Sequence, residues 1–356
     1  MAKLLDPVTV GELRLPNRIV LAPLTRSRAG GTRTPNDLMR EYYVQRASAG
    51  LILTEATSVT PQGVGYADTP GIWSDAQVEG WRNVTKAVHD AGGRIVLQLW
   101  HVGRVSDPVF LDGELPVAPS AIALAGHVSL VRPQRPYVTP RALELDEIPG
   151  IVAAYAKGAE NAKKAGFDGV ELHGANGYLL DQFLQDGTNK RTDEYGGPIE
   201  NRARLMLEAT DAVLKVWSPG RVGMHLAPRR DSHDMSDSNP AATFGYVAEQ
   251  LGKRGLAFIA AREKVGPDSL GPSLKKAFGG AYIANEGFTQ ESAEAILASG
   301  NADAVAFGKL FIANPDLPKR FARHAKLNEW DSNTFYGGGA RGYTDYPALE
   351  SDLVDA

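Results

Sequence analysis

The chain has 356 residues, 43% of them hydrophobic and 22% charged, with a formal net charge of −4 and a pI near 6.0. Such a chain can bury a large core, and its slight acidity argues against general attraction to nucleic acid or anionic membrane. It contains no cysteine, which excludes disulfides, thiolate catalysis and Cys-ligated metal centres.

The first twenty residues lack the apolar core of a signal peptide, and no run approaches the roughly 20 apolar residues of a membrane span. A cytoplasmic protein with no membrane or nucleic-acid partner is expected. An N-terminal hairpin leads into a first strand at residues 17–21 (NRIVL). Residues 36–48 read as a helix with Pro35 near its start. A strand at 51–56, a helix at 75–91 and a strand at 94–100 follow. The Pro-rich stretch from 104 to about 143 has no helical period, and its prolines exclude a central strand. So long a loop in a compact domain is commonly functional; a short hairpin is expected inside it. The alternation resumes with a helix at 148–165, a strand at 169–173, a helix at 199–216 and a strand at 221–226. Next come a helix at 241–254, strands at 256–260 and 281–284, a helix at 289–299 with Thr289 as N-cap, a strand at 304–307 and a helix at 316–324. The tail from about 328 is rich in Gly and Tyr and is expected to pack across one end.

These are about eight strand–helix units, with strands that read as apolar runs buried on both faces. Right-handed crossovers closing after eight units give an α/β fold, a (β/α)8 TIM barrel, here as one domain over 1–356. An open doubly wound sheet competes, but no Gly-x-Gly-x-x-Gly follows the first strand.

In a barrel the chemistry sits at the C-terminal ends of the strands. Those ends carry Ala22-Pro23-Leu24-Thr25, Glu55-Ala56, Gln98-Leu99-Trp100-His101, His173-Gly174-Ala175-Asn176-Gly177-Tyr178, His225, Asn285-Glu286-Gly287 and Gly308-Lys309. The last two sets suit a phosphate, because small residues let backbone N–H groups approach an anion and a lysine adds charge; ordinary turn chemistry is the bland alternative. Glu55 reads equally as a buried carboxylate paired with an arginine, His89 and His101 as a surface and a supporting histidine, and residues 189–194 as a solvated loop. No metal spacing stands out, and an ordered loop is the preferred reading of the acidic stretch 229–237.

The segment HGANGYLLDQFLQDGTNKRTDEYGGPIENRARL at 173–205 resembles the signature of the Old Yellow Enzyme family of flavin reductases. NRIVLAPLTRSRA, QLWHVGR, AFGKLFIANPDLP and FYGGGARGYTDYP are similar to further family blocks, in the family's order, so the resemblance covers nearly the whole chain. It implies non-covalent FMN at the barrel mouth, reduction by NAD(P)H, and hydride delivery to the β-carbon of an activated alkene, with a tyrosine protonating the α-carbon. It places Ala22, Pro23, Leu24 and Thr25 under the flavin ring, Ala56 and Gln98 at its pyrimidine edge, and Gly308 and Lys309 at its phosphate, with Asn285, Glu286 and Gly287 beside them. His173 and Asn176 would hold the substrate carbonyl oxygen, and Tyr178 would donate the proton. Tyr66, Trp100 and Tyr336 would be aromatic neighbours of flavin and substrate. His173 and Asn176 face one way if the segment turns helically. His225 departs from the family, which carries arginine there near flavin N1; Arg229 is a candidate substitute. Lys309 also replaces an arginine, losing the bidentate fork.

The expected substrates are α,β-unsaturated carbonyl or nitro compounds, and the enzyme is expected as a monomer or homodimer. Reduction of nitrate esters or nitroaromatics at the same flavin is the alternative. A non-flavin barrel lyase would need a Schiff-base lysine or a metal, and a flavin carrier without turnover would not need His173, Asn176 and Tyr178 together.

Overall fold

The computed structural model describes residues 2–229 and 232–349. Eight parallel strands close on themselves: β1 (Ile19–Leu21), β2 (Leu51–Leu53), β3 (Ile95–Trp100), β4 (Gly169–Gly174), β5 (Val222–Leu226), β6 (Phe258–Arg262), β7 (Ala281–Asn285) and β8 (Ala304–Phe307). Each pairs with its successor, and β8 returns to β1. The surrounding helices are α1 (Asp37–Val44), α2 (Asp75–Asp90), α3 (Ile148–Lys164), α4 (Arg204–Leu214), α5 (Pro240–Lys253), α6 (Gly271–Phe278), α7 (Gln290–Ala298) and α8 (Leu317–Ala322). The (β/α)8 barrel expected from the alternation is therefore present.

The strand alternation makes two cores. Val20, Leu51, Leu53, Val96, Phe258, Ala260, Ile283, Ala304 and Ala306 fill the barrel interior. The intervening Ile19, Leu21, Ile52, Ile95, Leu97, Val170, Leu172, Val222, Met224, Ile259 and Val305 pack outward against helices. The N-terminal hairpin, Val8–Val10 with Leu13–Leu15, adds Val10, Leu13 and Leu15 to the inner core. The Glu12 N–H donates to the Gly220 carbonyl at 2.8 Å, just before β5. The hairpin thus stops the N-terminal end of the barrel and leaves the other end for a ligand.

Local signals position the helices. Ser74 and Gln77 form a capping box at α2, Asn239 and Pro240 start α5, and Thr289 caps α7 as its sequence suggests. Several expectations need correction. The sixth strand runs two residues further than its apolar run, to Arg262, and α6 stands where no helix was expected. The helix at 199–216 is two pieces, Ile199–Arg202 and Arg204–Leu214. In the excursion after β3, Val117–Ala118 pairs with Arg141–Ala142 in parallel, and the antiparallel contact is a single bridge, His127 to Pro136.

The solvated-loop reading of residues 189–194 holds only for Lys190, Thr192 and Glu194, which are exposed. Asn189 is buried, and the Arg191 side chain is 7% exposed, donating to the Pro119 and Leu143 carbonyls and to Asp193. It clamps the excursion to the barrel. The tail packs as expected: Arg26 and Arg28 donate to the carbonyls of Thr334, Phe335 and Gly342, and Tyr343 stacks on Tyr42 at 4.2 Å.

Candidate active site

The inward positions become polar toward the strands' C-terminal ends: Gln98 and Trp100 on β3, Glu171 and His173 on β4, His225 on β5, Arg262 on β6 and Asn285 on β7. Register brings His225 beside His173 and Arg262 beside Asn285. Just below the mouth, Glu171 is fully buried and accepts from Gln98 Nε2 at 2.7 Å, and His225 Nδ1 lies 3.2 Å from its other oxygen. A buried carboxylate is tolerable only when bonded in this way.

Above this row stands an aromatic box. Trp100 lies 5.0 Å from the Tyr178 ring, edge to face, and stacks on Tyr66 at 5.5 Å; His173 meets Tyr178 edge to face at 5.0 Å. The Tyr66 and Tyr178 hydroxyls are 3.0 Å apart. Burial raises the pKa of Tyr178, so it stays protonated at neutral pH. Burial, with His225 and Arg262 nearby, holds His173 well below the usual imidazole range and therefore neutral. His173 Nδ1 and Trp100 Nε1 are buried without a protein partner. A ligand bound at the mouth would supply the partners that these two atoms lack.

The segment after β4 does not turn helically, so the condition under which His173 and Asn176 would share a helical face is not met. Asn176 and Gly177 are left-handed, at φ 57° and 77°, and Tyr178 is extended before the short helix Leu179–Leu184. Asparagine and glycine are the residues that enter this region most readily. The turn is pinned from several sides: Asp181 accepts from the Gly177 N–H at 2.9 Å, and His233 Nδ1 meets the Asn176 carbonyl oxygen at 2.7 Å. His173, Asn176 and Tyr178 are thereby gathered at one wall of the mouth.

A profile of the NADH:flavin oxidoreductase / NADH oxidase family matches residues 3–328. The chain belongs to that family. Its fold superposes on morphinone reductase in complex with tetrahydroNAD with a TM-score of 0.95 and 50% identity, covering 98% of each chain. The Old Yellow Enzyme homologue from Zymomonas mobilis gives a TM-score of 0.95 at 46% identity, over 98% of this chain and 100% of that one. 12-Oxophytodienoate reductase 2 of Arabidopsis thaliana is 43% identical over 98% of this chain and 96% of its own length. The protein is thus an Old Yellow Enzyme-type flavin oxidoreductase, with FMN as cofactor and NAD(P)H as reductant.

The mouth suits that cofactor. Ala22 and Ala56 are buried, and Pro23, Leu24 and Thr25 are half-buried just after β1, so small and apolar groups with one hydroxyl stand at these strand ends. Gln98 and the orphaned His173 Nδ1 offer polar edges. On the β7–β8 side, Gly287 has φ 77° with open space where a Cβ would point, and Gly308 precedes the short helix Lys309–Ala313. Lys309 is exposed, its Nζ 5.9 Å from the Trp330 ring. The Glu286 carboxylate, by contrast, turns to Arg262 at 3.5 Å. Tyr336 is 54% exposed at the rim, close enough to influence Tyr178 and Tyr66 electrostatically.

Other candidates fall elsewhere. Arg229 does not substitute for the fifth-strand arginine, since it is paired with Glu263 and Asp268. Glu55 is buried but accepts from the Arg26 backbone N–H and the Tyr43 hydroxyl, not from a guanidinium. His89 pairs with Asp168 on the surface, and the buried His101 Nδ1 accepts from the Gly103 N–H. In the stretch 229–237, residues 230 and 231 lie outside the described residues; among those described, no group of three His, Asp or Glu gathers for a metal. Sequence reading missed Glu171, His233 and Arg262. Extending the period-two pattern of β6 past Ala260 would have placed Arg262 at the mouth.

Proposed function

We propose that this enzyme reduces the activated C=C bond of α,β-unsaturated carbonyl and nitro compounds, the entire chain acting as one FMN-binding unit. The observation that carries the reading is the wall built by His173, Asn176 and Tyr178, with an unpartnered buried nitrogen beside a protonated, half-buried phenol. Ala22 to Thr25, Ala56, Gln98 and His173 would hold the FMN ring, and Gly287, Gly308 and Lys309 its phosphate. When bound, FMN supplies to the β-carbon a hydride received from NAD(P)H.

The chain's residues do the rest. His173 and Asn176 donate to the substrate oxygen, where negative charge grows as the hydride arrives; donors placed there favour the transition state over the ground state. Tyr178 gives its proton to the α-carbon. Tyr66, 3.0 Å away, stabilises the phenolate so formed by donating to it. Trp100 and Tyr66 wall off water. Enone reductases among the relatives favour this reading over reduction of nitrate esters or nitroaromatics. A cytoplasmic monomer or homodimer is the proposed setting, because NAD(P)H is an intracellular reductant.

Phenols, whose oxygens mimic an enolate, test the assignment. They should give a long-wavelength charge-transfer band with the oxidised holoenzyme. The band should vanish in the His173→Ala, Asn176→Ala double variant while FMN stays bound; a band of unchanged intensity would remove both residues from that role.

A further inference from the structure

We propose that Arg262 is a positioning residue that fixes which end of the Asn176 amide faces the substrate. The inference rests on the oxygen-holding role of Asn176 proposed above. Arg262 is the last residue of β6, and alternation with Phe258 and Ala260 turns it inward. Its Nη1 lies 3.2 Å from Asn176 Oδ1. A guanidinium can only donate, so the amide atom facing it must be the oxygen. The amide nitrogen, the donor that a substrate oxygen requires, is then left on the other side.

The rest of Asn176 is already fixed. Its backbone is left-handed, its carbonyl oxygen meets His233 Nδ1, and the next N–H donates to Asp181. The remaining freedom is the roughly two-fold rotation of the amide itself. Its two orientations have nearly the same shape but opposite polarity. The wrong one sets a carbonyl oxygen against a developing oxyanion, and the cation at Oδ1 disfavours it. A cationic donor on Oδ1 also polarises the amide and strengthens its N–H as a donor. Arg262 is itself anchored across β7 by Glu286, at 3.5 Å. The cation thus stands at the end of β6, while β5, where the family carries arginine, has His225.

Phenol titration of the oxidised holoenzyme, read by the charge-transfer band, tests this as a double-mutant cycle. Arg262→Ala should weaken phenol binding about tenfold, the size of a hydrogen bond to a charged group. Arg262→Lys, still a pure donor, should recover most of the loss. In an Asn176→Ala background, Arg262→Ala should add nothing further. A tenfold loss that persists in that background would show Arg262 acting directly as a charge and overturn the proposal. No loss in Arg262→Ala would overturn it as well. If wild-type binding is insensitive to Asn176→Ala, the role of Asn176 fails first and this inference falls with it. FMN content, measured on every variant, separates these outcomes from failure to fold.

Discussion

Replacing Tyr178 with phenylalanine isolates the proton step. The ring keeps its edge-to-face contacts with Trp100 and His173, each at 5.0 Å, so the aromatic box should survive. Tyr66 loses its hydroxyl partner at 3.0 Å but is only half-buried, so the stability cost should be about 1 kcal/mol. A positioned general acid is worth about 10²–10⁴ in rate, or about 3–5 kcal/mol of barrier. The test uses rapid mixing of NADH-reduced holoenzyme with 2-cyclohexenone. Reoxidation should slow by at least about a hundredfold, whereas reduction of the enzyme by NADH, which needs no proton from Tyr178, should change little. A nitroalkene should suffer far less, because its nitronate is a weak base that can leave unprotonated. In the wild type, burial raises the Tyr178 pKa, so its acid form should persist through the usual phenol range and the enone rate should not fall as pH rises past neutrality. Equal reoxidation of wild type and Tyr178→Phe by cyclohexenone would refute the reasoning and point to solvent as the proton source.

His225→Arg would set a permanent charge beside Glu171 and should raise the flavin midpoint potential, by about 30 mV for each roughly 1.4 kcal/mol of added stabilisation; an unchanged potential in spectroelectrochemical titration would place position 225 away from the flavin's charge. Burial pushes Glu55 up to about 7 from 4.5, so the folded state retains a proton that the unfolded state releases, and stability falls as pH rises between those values. Glu55→Gln should therefore match wild type near pH 4.5 and gain up to about 3 kcal/mol above pH 7 in urea unfolding; a difference independent of pH would contradict this.

The barrel was legible because its strands are buried on both faces and read as apolar runs, while Thr289 marks a helix start. The helix α6 was not, because GPSLKKAF opens with Gly and Pro and is too short to show a period. His173, Asn176 and Tyr178 were found through their motif, but the left-handed turn joining them was not: Asn-Gly is compatible with several turns, and His233 and Asp181 select this one. Arg262 escaped notice because a charge after an apolar run looks like the end of a strand. In a barrel the inward position at the C-terminal end is where a charge can face a ligand. Arg191 looked solvated for the opposite reason: its run is charged, but its partners are backbone carbonyls some fifty to seventy residues away, at Leu143 and Pro119.

The central claim is alkene reduction, and it is tested most directly by anaerobic turnover of the FMN-loaded enzyme with NADH and with NADPH on 2-cyclohexenone, counting cyclohexanone formed against cofactor oxidised. The account predicts one cyclohexanone per reduced nicotinamide consumed, with little consumption when the alkene is omitted. Nicotinamide oxidation that requires oxygen, yields peroxide and leaves the alkene untouched would contradict it and make the protein an NADH oxidase instead.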